Sequence, residues 1–179
     1  CLTTFAPDRG FTVSGAGMLP TGTYKSRNDT FLIPCGGANF RLGERSTLGL
    51  FMFGNGGMNT EYGTNVFGVW GGSDPLGVNL EQAFFSANLS YEVSDQLTVG
   101  IAPVFALQRF SATGLEPFTG GSSAPTLMTN NGDDWSSGYG FNVGVIYEPN
   151  PQWTFGAAYR SRMNMEEFNK YAGLFAEQG

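Results

Sequence analysis

The residues that could do acid–base chemistry are poorly placed for it. Asp133-Asp134 and Glu166-Glu167 are adjacent pairs. Neighbours on a strand point to opposite faces, so neither pair makes an acid/base couple around one substrate. The chain contains no histidine. That removes the commonest general base, the commonest zinc ligand and any Ser-His-Asp triad within this chain. Its glycine-rich stretches lack the Lys-Ser/Thr that closes a phosphate loop. Cys1 and Cys35 cannot build a structural zinc site alone; they are two thiols, or one disulfide in an oxidising compartment. No enzyme activity, cofactor or metal site is expected.

What remains is binding chemistry. Phe67, Val69, Trp70 and Leu76 fall in one long polar stretch, and Leu115, Phe118, Leu127 and Met128 in another. An apolar ligand needs such a lining, since burial yields roughly 25 cal/mol per Å²; packing of the loops on themselves is the competing use. A ligand carboxylate would want a cation, and the arginines to weigh for it are Arg109, Arg160 and Arg162.

The elements that position these residues are strands. From Gln82 to Val93, residues Ala83, Phe85, Ala87, Leu89, Tyr91 and Val93 alternate with Gln82, Phe84, Ser86, Asn88, Ser90 and Glu92, giving one greasy and one mostly polar face. The same period of two runs through Leu97–Gln108, Tyr139–Glu148 and Trp153–Asn164, and more weakly through two strands flanking Gly43-Glu44-Arg45. Six long antiparallel strands are expected, centred near residues 35, 50, 87, 102, 143 and 158, with the first 25 and last 10 residues able to add one each. The turns near Glu44, Asp95 and Asn150 are short, whereas 54–79 and 111–135 read as long loops. Short turns at one end and long loops at the other mark an outer-membrane barrel, and strands of about ten residues suit a tilted crossing.

Composition agrees. Charged residues are 13% of the chain, against about 25% in ordinary soluble domains. The net charge of −6 and the lack of a basic cluster argue against nucleic acid. No apolar run is long enough for a membrane helix. The expected class is all-β: an antiparallel transmembrane barrel section of about six to eight strands, 1–179 forming one partial domain. Phe85, Leu89, Leu97, Val99, Ile101, Val143, Val145, Phe155 and Ala157 should share the lipid-facing side. Alternation puts Arg109 on that side too, where it snorkels to the membrane edge unless a bulge turns it inward. Arg160 and Arg162 fall on the polar face, where pairing with a Glu or Asp is the simplest role.

The stretch Asp134-Trp135-Ser136-Ser137-Gly138-Tyr139-Gly140-Phe141-Asn142-Val143-Gly144-Val145-Ile146-Tyr147-Glu148, followed by Gln152-Trp153-Thr154-Phe155-Gly156 and Ala158-Tyr159-Arg160-Ser161, resembles the FadL-type long-chain fatty acid transporters (OmpP1/FadL/TodX-like) of the Gram-negative outer membrane. Phe141 stands where that family usually has Trp. The resemblance covers roughly residues 28 to 168. It implies a fourteen-stranded barrel with an N-terminal hatch and further strands that lie outside this chain. It also implies passive diffusion of a hydrophobic compound to a lateral exit, made by an inward kink in one strand. The aligned kink is Gly54-Asn55-Gly56-Gly57, which could equally begin a flexible loop. The family places an arginine close to substrate at Arg109. Partners are then hydrophobic small molecules, outer-membrane lipid and lipopolysaccharide. Two other readings stand beside this one: a general porin, which needs a more charged lumen, and a secreted β-sandwich that stacks carbohydrate on Trp70, Trp135 or Trp153.

Overall fold

The computed structural model describes residues 1–15, 17–55 and 57–175, with Asn55 as backbone only. It is a curled antiparallel sheet, a half-barrel of seven strands in the order β1-β4-β5-β7-β8-β9-β10. These are Leu2–Phe5 (β1), Phe31–Arg41 (β4), Ser46–Asn55 (β5), Leu76–Ser94 (β7), Leu97–Thr113 (β8), Asp134–Asn150 (β9) and Trp153–Arg160 (β10). Two short strands lengthen its neighbours: Asn59–Tyr62 (β6) pairs with β7, and Asn164–Met165 (β11) with β9. Gly10–Val13 (β2) and Gly22–Lys25 (β3) form a separate hairpin. All six expected centres lie in strands. β7, β8 and β9, at 19, 17 and 17 residues, run well past the expected loop boundaries. Among the described residues no helix is long and apolar enough to cross a membrane. A single curled sheet also excludes the two packed sheets of a sandwich.

Register settles which side chains share a face. Leu89 stands opposite Ile101 and Ile101 opposite Val143, while Val99 and Ala157 both oppose Val145. Phe85 opposes Phe105, which opposes Tyr139. All nine residues expected to face lipid share this side, and the alternate residues Ala102, Val104, Ala106, Gln108 and Phe110 are buried on the other. A curled sheet crowds side chains on its concave side and spreads them on its convex side, so the greasy rows are convex. They end in aromatics: Tyr91, Tyr147 and Trp153 at the short-turn end, Trp135 at the loop end. Trp135 and Tyr147 are twelve residues apart on β9. That is about 40 Å along a strand, or about 30 Å of height at a barrel's usual tilt, close to the apolar band between aromatic girdles.

Cys1 and Cys35 are joined as a disulfide, resolving the two alternatives. They stand directly opposite each other, with the Cys35 amide donating to the Cys1 carbonyl at 3.0 Å, so the bridge ties the β1 edge to the sheet.

One facing differs from the alternation. Arg160 opposes Asn142, but Asn164 opposes Tyr139, a register shift of one residue within β10–β11. A bulge turns the following side chains over. Met163, expected on the greasy side with Tyr159, instead meets the concave side of Gly140, and Met165 that of Gly138. A Cβ at either glycine would overlap the thioether sulfur, which is a physical reason for the Gly-Tyr-Gly spacing in the motif quoted above.

Candidate functional site

The concave face is built in rows. Nearest the loops lies an aromatic cap: Phe110, 2% exposed, meets the ring of Tyr171, 0% exposed, edge-on at 4.9 Å, with Phe168, Phe175 and Leu115 around them. Tyr171 donates its hydroxyl to the Gly132 carbonyl at 2.7 Å. Of the last ten residues, the described ones, 170–175, are not in a strand; Phe168–Phe175 turns inward across the mouth of the half-barrel through a 3-10 turn and a single helical turn, Ala172–Phe175.

Below the cap runs a buried polar row. Gln82 Nε2 donates to Gln108 Oε1 at 2.9 Å, Gln108 Nε2 to Ser136 Oγ at 3.2 Å, and Ser136 Oγ to the Glu166 carbonyl at 2.6 Å. Each side chain of this row, Gln82, Gln108 and Ser136, thus has a hydrogen-bond partner, as burial requires. Beneath it come Phe53 and Phe84, stacked at 5.3 Å, then Phe51 and Val104.

The sequence-chosen loop residues divide. Phe67 and Trp70 belong to the 3-10 helix Val66–Trp70 and stack at 6.0 Å; Phe118, from the facing loop, meets Phe67 edge-on at 5.0 Å. Trp70 and Phe118 keep 46% and 44% of their surface exposed. Leu115 packs instead on the Phe110–Tyr171 cap. Leu127 ends the turn Pro125–Leu127, and Met128 beside it is buried. The structure therefore unites Phe67, Trp70 and Phe118, and leaves Leu115, Leu127 and Met128 apart from them.

Two side chains strap these loops together. Buried Asn65 donates from Nδ2 to the carbonyls of Ser73 and Gly114, at 2.8 and 2.7 Å, and accepts from the Phe67 amide at 2.9 Å. Glu116 accepts from the Ser73 amide at 3.1 Å, from the Ser73 hydroxyl, and from Asn130 Nδ2 at 2.6 Å. Burial works to raise the Glu116 carboxyl, but the hydrogen bonds from Ser73 and Asn130 outweigh it and hold it below the usual glutamate range.

Arg109 is on the convex side at the loop end. It pairs with Glu81 at 2.8 Å and Asp133 at 3.2 Å, and its guanidinium lies 5.8 Å from the Trp135 ring centre. No bulge turns it inward: β8 pairs without a register shift from Gly77↔Thr113 through Glu81↔Arg109 to Ser86↔Val104. It lies away from Phe67 and Phe118, with its charge already met by two carboxylates.

At the glycine stretch, pairing shifts by one residue, from Asn55↔Gln82 to Asn59↔Asn79. Gly54 and Asn55 still pair with β7. Gly57 lies so close to that strand that a Cβ would overlap the Leu80 carbonyl oxygen. Gly56 is outside the described residues. On the opposite edge, β4 and β5 pair from Arg41↔Thr47 to Cys35↔Phe53 and then part. The same register resumes only at Ser26↔Tyr62. In between, Phe31–Pro34 turns to pair with β1, and Asn28 donates to Asn59 Oδ1 at 2.6 Å. Among the described residues, no strand pairing therefore joins 29–34 to 54–60, although each stretch pairs with its other neighbour.

This architecture has known counterparts. The family model of outer membrane protein transport proteins (OMPP1/FadL/TodX) matches residues 11–177. The chain belongs to this family. The crystal structure of a Pseudomonas aeruginosa FadL homologue has the same fold, with a TM-score of 0.57 at 14% identity over 97% of this chain. The chain spans 45% of the length of that structure. No curated protein matches it. For a FadL/TodX-family chain, the residues that sequence reasoning missed are Phe168, Tyr171 and Phe175. They lack period-two spacing, and their only signal is an aromatic cluster near the end of a polar segment. Among the described residues no group of Cys, Asp and Glu is arranged to hold a metal ion.

Proposed function

We propose that this chain is part of an outer-membrane barrel that passes hydrophobic compounds, long-chain fatty acids foremost, by passive diffusion, with a lateral exit through the wall beside Gly54–Gly57. The observation that carries this reading is the unladdered stretch between β4 and β5, bordered by glycines on one side and by Phe31, Leu32, Ile33 and Pro34 on the other. An apolar solute can cross there without breaking a hydrogen-bonded ladder. A hydrophilic solute gains nothing from a path into lipid, which sets this reading apart from a general porin. Phe67, Trp70 and Phe118 form the first apolar contact at the rim. Arg109, held by Glu81 and Asp133, serves the membrane edge, where outer-membrane lipid and lipopolysaccharide lie. The hatch and the remaining strands complete the barrel.

The test is a reversible staple. Continued across the gap, the register shared by β4, β5 and Ser26↔Tyr62 would set Thr30 opposite Met58, and formation of the bridge in the oxidised protein is checked by thiol titration. The full-length double variant Thr30→Cys/Met58→Cys should take up labelled oleate poorly when oxidised and recover on reduction, with reduced wild type as control. Uptake that ignores the staple rejects the lateral exit. Uptake of small sugars without oleate by the wild type would establish the porin instead.

A further inference from the structure

The outer wall carries a groove that starts where β4 and β5 part. Their last pair is Cys35↔Phe53, on the concave side, and the pair before it, Gly36↔Met52, faces outward. From there the convex row runs on through Phe85 and Phe105 to Tyr139. Two residues nearer the short turns, the next convex row is cut down to Ala38, Ala87 and Pro103, interrupted only by Leu50. The two rows bound a groove of about 820 Å³ with no charged residue in its lining, inside the range of about 300–1,000 Å³ usual for small-molecule sites.

The groove opens outward. On the concave side the ring of Phe51 covers Gly37, Met163 covers Gly140, and Ser86 and Val104 are buried. On the convex side a Cβ at Gly36 would meet nothing within 4 Å, and Phe85, Phe105 and Tyr139 are exposed. The junction with the parted strands is apolar as well: Ile33 lies over Gly54, its methyl 3.0 Å from where a Cβ would stand.

Direction and length select the occupant. The groove crosses β4, β5, β7, β8 and β9, a run of about 19 Å at about 4.8 Å between strands. One leaflet of hydrocarbon is about 15 Å deep. Barrel strands tilt by about 35–45°, so a groove across them runs oblique to the bilayer normal. A bilayer lipid, held upright by its head group, lays only part of a tail across it. A free single chain that emerges between β4 and β5 can lie along all of it. Lipid is as apolar as this wall, so any preference comes from packing, which the floor of small residues and the aromatic side wall supply.

We propose that this groove is a receiving site on the lipid-facing wall: the single-chain hydrophobe that leaves between β4 and β5 lies down along Ala38, Ala87 and Pro103 before it passes into the bilayer. This rests on the lateral exit proposed above and names its cargo as a free, flexible, single-chain compound.

The probe is oleate with a photoreactive diazirine at mid-chain, given from outside to cells that make the full-length protein and lack their own transporter. Adducts are mapped by mass spectrometry. Label at Met52, Phe85 and Phe105 should exceed label at Val145 and Phe155, convex residues outside the groove, about tenfold, the scale of about 1.4 kcal/mol of packing preference. Ala87→Phe fills the floor and should abolish the excess, whereas Ala157→Phe, the same change elsewhere on that face, should preserve it. Ala38→Leu keeps the test open if Ala87→Phe does not reach the membrane. The oxidised Thr30→Cys/Met58→Cys staple should remove the excess and reduction should restore it. Phosphatidylethanolamine with the same diazirine in its tail should label both sets of residues alike. Oleate adducts spread evenly over the convex face would overturn the proposal, as would an equal excess with the phospholipid, or an excess that persists while the oxidised staple blocks uptake, since the groove would then fill from the bilayer. A dimer whose second copy covers the groove and excludes both probes would assign it to self-association instead. A wild type with neither oleate uptake nor adducts refutes the transport reading itself, whereas normal uptake with evenly spread adducts refutes only the groove.

Discussion

The two faces of β7, β8 and β9 are made of alternate residues of the same three strands, yet they follow opposite rules. On the convex face Phe85, Leu89, Ile101, Phe105 and Val143 are apolar and open to the surroundings. On the concave face polar Ser86, Gln108 and Ser136 are buried together with apolar Ala102, Val104 and Phe110. A soluble protein reverses this arrangement. The difference is what an apolar medium outside the sheet would favour, and the buried polar groups inside satisfy one another. Neither face could trade places with the other, because a slip of one residue would invert every side chain at once.

The sharpest way to break that comparison is to put one charge on each face. Ile101→Arg, in mid-wall, should cost about 2–4 kcal/mol of folding free energy in a bilayer, and Ser86→Arg, facing the lumen, should cost far less. Refolding of the full-length protein into lipid vesicles, followed by urea titration, measures both. Equal penalties would mean that both faces meet the same medium.

Much of this was legible in the residues themselves. Period-two spacing placed all six long strands and the greasy side, because a membrane wall demands strict alternation over many residues and tolerates few charges. The bulge after Arg160 was not legible. It adds one residue without any glycine or proline at Ser161–Met163, so Met163 read as a wall residue. The cap was also hidden, since Tyr171 and Phe110 are far apart in sequence and meet only when the end of the chain turns inward. At the rim, composition could nominate Phe67, Trp70, Phe118, Leu115 and Met128 together, but only the straps through Asn65 and Glu116 decide which of them touch. Arg109 was read onto the convex side correctly, whereas its carboxylate partners, Glu81 and Asp133, come from two other segments.

A smaller effect sharpens the contrast at the rim, where alternation stops and single hydrogen bonds take over. Glu116 is held below its ordinary value, so the folded loops bind fewer protons there than the unfolded chain. Its stabilisation is therefore complete above the unfolded glutamate pKa of about 4.3 and fades as pH falls through the lower folded value. Protease nicking of the loops at 65–74 and 114–130 should rise below about pH 4 while the barrel stays intact. Glu116→Gln should raise nicking modestly at neutral pH, on the scale of about 1 kcal/mol, and flatten the pH step. Nicking that is independent of pH would remove Glu116 from the strap.

The wall itself can be read directly. Single cysteines at Phe85, Ser86, Ile101, Ala102, Val143 and Gly144, in a full-length background with Cys1 and Cys35 replaced by serine and shown to refold, would carry spin labels in lipid vesicles. Labels at 85, 101 and 143 should be reached by lipid-soluble oxygen and shielded from a water-soluble nickel chelate, and those at 86, 102 and 144 should lose the preference for oxygen. The opposite ordering, or six labels with equal access to both relaxers, would contradict a convex face in lipid and a concave face lining a lumen.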